Sequence, residues 1–211
     1  MPITGIFLPM VRNYSQIVKT KELLSSSSHN IEIVPMIETT LGKNNLSEIL
    51  DKDKNMNLIS RVHYGHFDYC LDSKLWPLPD PNEKIYWEIV EPIIQLLAKH
   101  KKAYIHTPFP FPQNGNLFWQ TAKYMSSISS SIDCWACTVN SGLSLMEQPV
   151  IIDDLEIKNI ELSIEAKKIE AKKIIDHFLL GQSHKRSFGV RENRFIAPHQ
   201  YLMAKEFLEN N

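Results

Sequence analysis

The sequence predicts an α/β fold built on parallel strands. The first sign is alternation: short, apolar, β-branched runs are separated by longer stretches of helical periodicity. Such alternation implies parallel strands joined by right-handed crossovers. The second sign is number, with five strand-like runs identifiable, fewer than the eight of a full barrel. The third is that no glycine fingerprint follows the first run, so a dinucleotide-binding fold gains little support. A doubly wound sheet and a (β/α)8 barrel both remain compatible with this pattern.

The elements follow in order. Residues 3–11 (ITGIFLPMV) read as a buried strand, and a helix follows over 15–24 with Asn13 or Ser15 as its cap. Residues 31–37 (IEIVPMI) form the second strand, and Asn45 is a possible cap for a short helix from Leu46. Residues 58–64 (LISRVHY) are the third strand, and the proline- and aspartate-rich stretch 72–82 is a loop. Over 83–100, Ile85, Ile89, Ile93, Leu96 and Leu97 share one side of an amphipathic helix in which Pro92 is a potential kink.

Residues 103–107 (AYIHT) are the fourth strand, and the proline-rich stretch 109–112 is a loop that cannot be a central strand. A helix runs from Gly115 through Met125, with Trp119 and Tyr124 on its core stripe, and residues 134–139 are the fifth strand. From 155 to 180 the pattern predicts one long helix, ended by Gly181. Its lysine pairs, Lys167–Lys168 and Lys172–Lys173, form a solvated face. A last helix covers 198–208. The chain thus divides into 1–150, strands and helices of the α/β body, and 151–211, a C-terminal helical segment.

Composition limits the functions available. An apolar share of 43%, a charged share of 22% and 211 residues suit one globular domain with a real core. The net charge of -1 is no footprint of nucleic-acid binding. No run approaches the roughly 20 apolar residues of a membrane span. The first 13 residues carry no basic segment ahead of their apolar run, so they do not read as a signal peptide. The expectation is a cytoplasmic protein without nucleic-acid or membrane partners. Cys134 and Cys137 form a CxxC inside an apolar run, with no second pair at zinc-ligand spacing, and read as structural.

Two carboxylates stand out by position. Glu38 directly follows the second strand, and Asp68 follows the third across Gly65-His66-Phe67. Both fall at the C-terminal ends of parallel strands, the edge where α/β folds bind ligands. Two carboxylates there repel unless a cation or proton lies between them. Mg²⁺ accepts one or two carboxylates together with waters and substrate oxygens. The plainer alternative has Glu38 capping the next turn and Asp68 capping a helix.

The wording around these residues carries a resemblance. Val34-Pro35-Met36-Ile37-Glu38-Thr39 with Gly42 resembles the P-x-I-E-T-x-x-G motif of the HpcH/HpaI aldolase and citrate lyase beta-subunit superfamily. Gly65-His66-Phe67-Asp68-Tyr69 resembles that family's G-x-x-D-[LY] motif. Gly5 to Val11 is similar to its preceding strand, and Phe188 to Pro198 with Ala204 to its closing segment. The resemblance implies a TIM (β/α)8-type barrel, incomplete because the first strands are missing, with a C-terminal helical extension. It implies Mg²⁺ (or Mn²⁺) on Glu38 and Asp68, with Thr39 and Gly65 shaping the substrate pocket. The activity it implies is carbon–carbon lyase or aldolase chemistry on a 2-oxo acid, hydroxy acid or acyl-CoA thioester.

The departures from the family motifs point to a rival reading. Met10 stands where the family has lysine, residues 137–141 replace an I-H-P-x-Q motif, and the family's substrate-clamping arginine has no counterpart. A catalytically degenerate scaffold of the same fold is therefore the alternative. Arg12 is the nearest replacement for the clamp. His66, beside Asp68, and His106, at the end of the fourth strand, are further candidates for catalysis, each with a plain packing role as its alternative. His63 faces either the barrel interior or the helices. An open set of strands leaves an edge unpaired, which predicts a homo-oligomer or a companion chain.

Overall fold

The computed structural model describes residues 3–25, 31–111, 113–135, 149–184, 189–192 and 194–211. Five parallel strands form one sheet in the order of the sequence: β1 (Gly5–Leu8), β2 (Glu32–Ile37), β3 (Arg61–Tyr64), β4 (Ala103–His106) and β5 (Ile132–Trp135). The order never reverses, so this sheet lacks the switch point of a doubly wound fold. Between the strands lie α1 (Tyr14–Leu24), α2 (Thr40–Asn44), α3 (Leu46–Asp53), α4 (His66–Asp72), α5 (Lys84–Lys99) and α6 (Gly115–Ile128). The C-terminal part holds α7 (Ile164–Ser183), the antiparallel pair β6 (Gly189–Arg191) and β7 (Arg194–Ile196), and α8 (Pro198–Asn210). No described helix is long and apolar enough to cross a membrane.

Side-chain alternation gives the sheet two different faces. Ile33, Ile37, Val62, Tyr64 and Tyr104 join the helical core with Ile17, Leu46, Leu50, Ile93, Leu97 and Met203. Fully burying an aliphatic side chain of this kind stabilises the fold by about 1.5–3 kcal/mol. Phe7, Met36 and His63 point the other way, into a cleft. The chain's own parity thus settles which face His63 occupies.

Local signals explain most element bounds. Asn13 caps α1 through a reciprocal box with Gln16. Thr39, rather than Asn45, supplies a side-chain cap: its Oγ1 accepts the Gly42 amide at 3.0 Å to start α2. Gly42 is needed because a Cβ there would stand 2.3 Å from the Val11 carbonyl oxygen. Helix α5 runs unbroken through Pro92.

Some expectations need correction. The stretch 155–163 is not helical; α7 starts after the Ser163 cap. Lys158 instead lies alongside Glu83, its amide donating to Asn82 O and its carbonyl accepting from Lys84 N, both at 2.8 Å. That backbone pairing outweighs the helical spacing of Ile157 and Ile160. Gly181 lies inside α7, which continues to Ser183. The C-terminal segment contains the β6–β7 hairpin besides its helices, and Phe195 N donates to Pro110 O at 2.7 Å to dock it. The fifth strand starts two residues early, at Ile132; residues 136–139 of the expected strand, Cys137 among them, lie outside the described residues.

Candidate active site

At the C-terminal ends of β1–β4 lies a cleft of about 420 Å³, lined among others by Phe7, Met36, Glu38, His63, Asp68 and His199. The two carboxylates singled out from the sequence therefore share one cleft. Glu38 extends β2 and is only 4% exposed. Its Oε2 accepts the Met10 amide at 2.9 Å. Met10 sits at φ 55, a left-handed conformation that costs a non-glycine residue roughly 1–2 kcal/mol. That turn after β1 aims the Met10 amide at the carboxylate, a local strain of the kind that clusters at functional sites.

Gly65 caps α4 and its amide donates to Ile37 O at 3.1 Å. A Cβ on Gly65 would stand 2.5 Å from Glu38 Cγ and 2.6 Å from its Oε1. Glycine at this position is what lets the Glu38 carboxylate lie against the β3–α4 turn. Asp68 occupies the first turn of α4. Burial, aided by the Asp68 charge, raises the Glu38 pKa, while the Met10 amide and His199 oppose the rise.

Sequence reasoning missed His199. It lies in the first turn of α8, and its Nε2 approaches Asp68 Oδ1 at 3.2 Å. The hydrogen bond to Asp68 raises its pKa, against burial, and the Asp68 and Glu38 charges add to the rise. Its Nδ1 is buried without a hydrogen-bond partner. Phe67 lies beside the ring, 5.9 Å between centroids. The sequence signal was slight: a histidine just after the Pro198 that opens the last helix.

The other candidates fall elsewhere. Thr39 is fully buried and engaged as the α2 cap, away from the cleft lining. Arg12 is exposed and bonds through its backbone to Gln16 and Asn45. His66 borders the cleft, but Tyr64 OH meets its Nδ1 and Pro79 O its Nε2, each at 3.0 Å. Burial holds its pKa down at about 4. His106 lies between Tyr86 OH at 2.8 Å and Tyr104 OH at 2.9 Å on the helical side of the sheet. Both rings are satisfied within the core.

The donor set suits a hard cation. Among the described residues no three histidine, cysteine or acidic groups form a ready-made cage. Mg²⁺ needs no such cage, since it keeps several waters beside one or two carboxylates. Glu38 and Asp68 are the two carboxylates of the cleft lining. A cation taking the Asp68 oxygen would compete with His199 for it.

No family model matches the sequence, and no curated protein matches it. Solved structures do match in fold. Malate synthase of Haloferax volcanii, in its pyruvate/acetyl-CoA ternary complex, superposes with a TM-score of 0.65 at 11% identity over 99% of this chain. The chain spans 62% of that enzyme's length. CitE of Mycobacterium tuberculosis, in complex with magnesium and acetoacetate, gives 0.53 at 12% identity, covering 74% of this chain and 62% of CitE. RipC of Yersinia pestis gives 0.51 at 14% identity, covering 69% and 63%. At such identities the likeness establishes a mixed α/β fold with a parallel sheet similar to theirs.

Proposed function

We propose that the chain is a Mg²⁺-dependent enzyme that makes or breaks a carbon–carbon bond next to the carbonyl of a small carboxylate or acyl-CoA thioester. The sheet is read as a sector of a (β/α)8-type barrel. The observation that carries the proposal is the convergence of Glu38 and Asp68 on one cleft at the C-terminal strand edge. The fold likeness to malate synthase and to CitE, one complexed with pyruvate and acetyl-CoA and the other with magnesium, supports it.

Glu38 and Asp68 would hold the cation, which supplies Lewis-acid polarisation of the substrate carbonyl when bound. The Met10 amide fixes the Glu38 carboxylate in direction. Phe7, Met36, Phe67 and Pro108 wall the cleft with apolar surface. His199 is the group placed to move a proton. Its ring borders the cleft, and a cation on Asp68 would free its Nε2 to face the substrate. The scaffold reading draws on two facts: Met10 stands where the resembling family has lysine, and among the described residues no lysine or arginine lines the cleft.

Calorimetric titration with Mg²⁺ should show one site, weakened about tenfold, or roughly 1.4 kcal/mol, in Glu38→Gln and in Asp68→Asn. Aldol adducts of 2-oxo acids and malyl- or citryl-type thioesters should then turn over slowly, and EDTA should stop them. Unchanged Mg²⁺ affinity in both variants, or turnover that survives EDTA, would contradict the proposal. Intact Mg²⁺ binding without turnover on any substrate selects the scaffold.

A further inference from the structure

The cleft has a polar mouth and an apolar floor, and one residue of the floor does not belong to an apolar surface. His63 sits two residues before Gly65 on β3, one layer beneath Glu38, Gly65 and Thr107. Its register neighbours are Met36 on β2 and Ile105 on β4, and the Phe7 ring meets it edge-on at 5.6 Å. The side chain is only 5% exposed, and its Nδ1 is buried without a partner. No hydrogen bond joins the ring to the rest of the described protein, in contrast to His66 and His106, each held at both nitrogens. A buried polar group left without a partner costs about 1–3 kcal/mol. A phenylalanine or leucine would fill the same layer without that cost.

We infer that His63 is a specificity-determining residue: it forms a hydrogen bond to a neutral polar group at the distal end of the substrate, below the carboxylate layer. This inference rests on the cleft of the proposed function and adds the chemistry of the substrate's far end. Burial holds the imidazole pKa down at about 4, so the ring is neutral at pH 7 and offers one donor and one acceptor. A neutral ring matches a hydroxyl, a carbonyl or an amide. It cannot neutralise a carboxylate, which would lose its water among Phe7, Met36 and Ile105. The floor therefore selects a chain that is acidic at one end and neutral but polar at the other.

Three probes of equal chain length read this directly: 5-hydroxy-2-oxopentanoate, 2-oxopentanoate and 2-oxoglutarate. Their distal ends are a hydroxyl, a methyl and a carboxylate. Calorimetry is run on the full chain, first with Mg²⁺ alone and then with each acid, in the presence and absence of Mg²⁺. The hydroxyl-ended acid should bind about tenfold tighter than the methyl-ended one, and the carboxylate-ended acid weakest. His63→Leu should abolish the preference for hydroxyl over methyl, and His63→Gln, which stays neutral and polar, should retain it. Urea melts of both variants establish that they fold.

The inference is overturned if 2-oxoglutarate binds as tightly as the hydroxyl-ended acid, or if His63→Leu leaves the order unchanged. Failure of all three acids to bind overturns it as well. Loss of Mg²⁺ binding alone counts against the metal site only, because the order of the three acids on metal-free protein still decides the role of His63.

Discussion

Replacing Asp53 with alanine is expected to remove about 3–5 kcal/mol of stability, the largest effect of any single substitution considered. Asp53 is fully buried at the end of α3. Its Oδ1 accepts Leu58 N at 2.7 Å and Tyr14 OH at 3.2 Å; its Oδ2 accepts Ile59 N at 3.2 Å and Lys102 Nζ at 2.8 Å. Lys102 is itself buried and also donates to Asn57 Oδ1 at 2.9 Å. The pair ties the turn before β3 to the residue before β4, at the strand edge opposite the cleft. Burial, reinforced by Asp53, pushes the Tyr14 hydroxyl up to about 12.

Alanine at 53 would leave a buried ammonium without its carboxylate and two amides without an acceptor. A domain of this size has only about 5–15 kcal/mol in total. Urea unfolding followed by far-ultraviolet circular dichroism measures the loss. The double variant Asp53→Ala/Lys102→Met should be less destabilised than Asp53→Ala alone, since the orphaned charge is gone. A single-variant loss below about 1 kcal/mol would mean that water replaces Asp53 at little cost.

Nothing in the sequence distinguishes Asp53 from its neighbours. It stands in Lys52-Asp53-Lys54, and Lys102 follows Lys101, so each reads as part of a solvated charge run. Lys52 and Lys54 do pair on the surface, with Glu48 and Asp51. Only the three-dimensional fold selects the middle residue for burial, against a partner that lies far along the chain, just before β4. His199 was illegible for the same reason, because it meets Asp68 only through packing of the last helix on α4.

Glu38 and Asp68 could be marked from the sequence because strand ends are local features. A run of apolar residues followed by a carboxylate fixes the edge without knowledge of the whole fold. His63 was half legible. Alternation says that it opposes Val62 and Tyr64, but only the helices packed on those two say which face is inside. His66 and His106 show the converse: a histidine near a strand end looks catalytic until its partners are found, Tyr64 and the Pro79 carbonyl for the one and Tyr86 and Tyr104 for the other.

If Glu38 and Asp68 hold Mg²⁺ as proposed, Gly65→Ala is expected to weaken that binding by about 10–100-fold, the range seen when the support of a metal ligand is disturbed. The new Cβ would lie 2.5 Å from Glu38 Cγ, 2.6 Å from Oε1 and 3.0 Å from Cδ, so something must move. The carboxylate has little freedom to retreat, because Oε2 is fixed by the Met10 amide at 2.9 Å and the side chain is buried. The backbone has little either, because Gly65 N is bonded to Ile37 O and Gly65 starts the helix that carries Asp68. A shift at this turn therefore displaces both carboxylates, whereas Glu38→Gln alters one. Overpacking of this kind costs about 1–3 kcal/mol of stability, so the chain should remain folded. Gly5→Ala in β1 is the control, since a Cβ there meets Glu32 at an ordinary 3.4 Å. Parallel Mg²⁺ titrations and urea melts of the two variants separate a site effect from a general one. Wild-type Mg²⁺ affinity in folded Gly65→Ala would show that Glu38 does not need its present position to hold the ion.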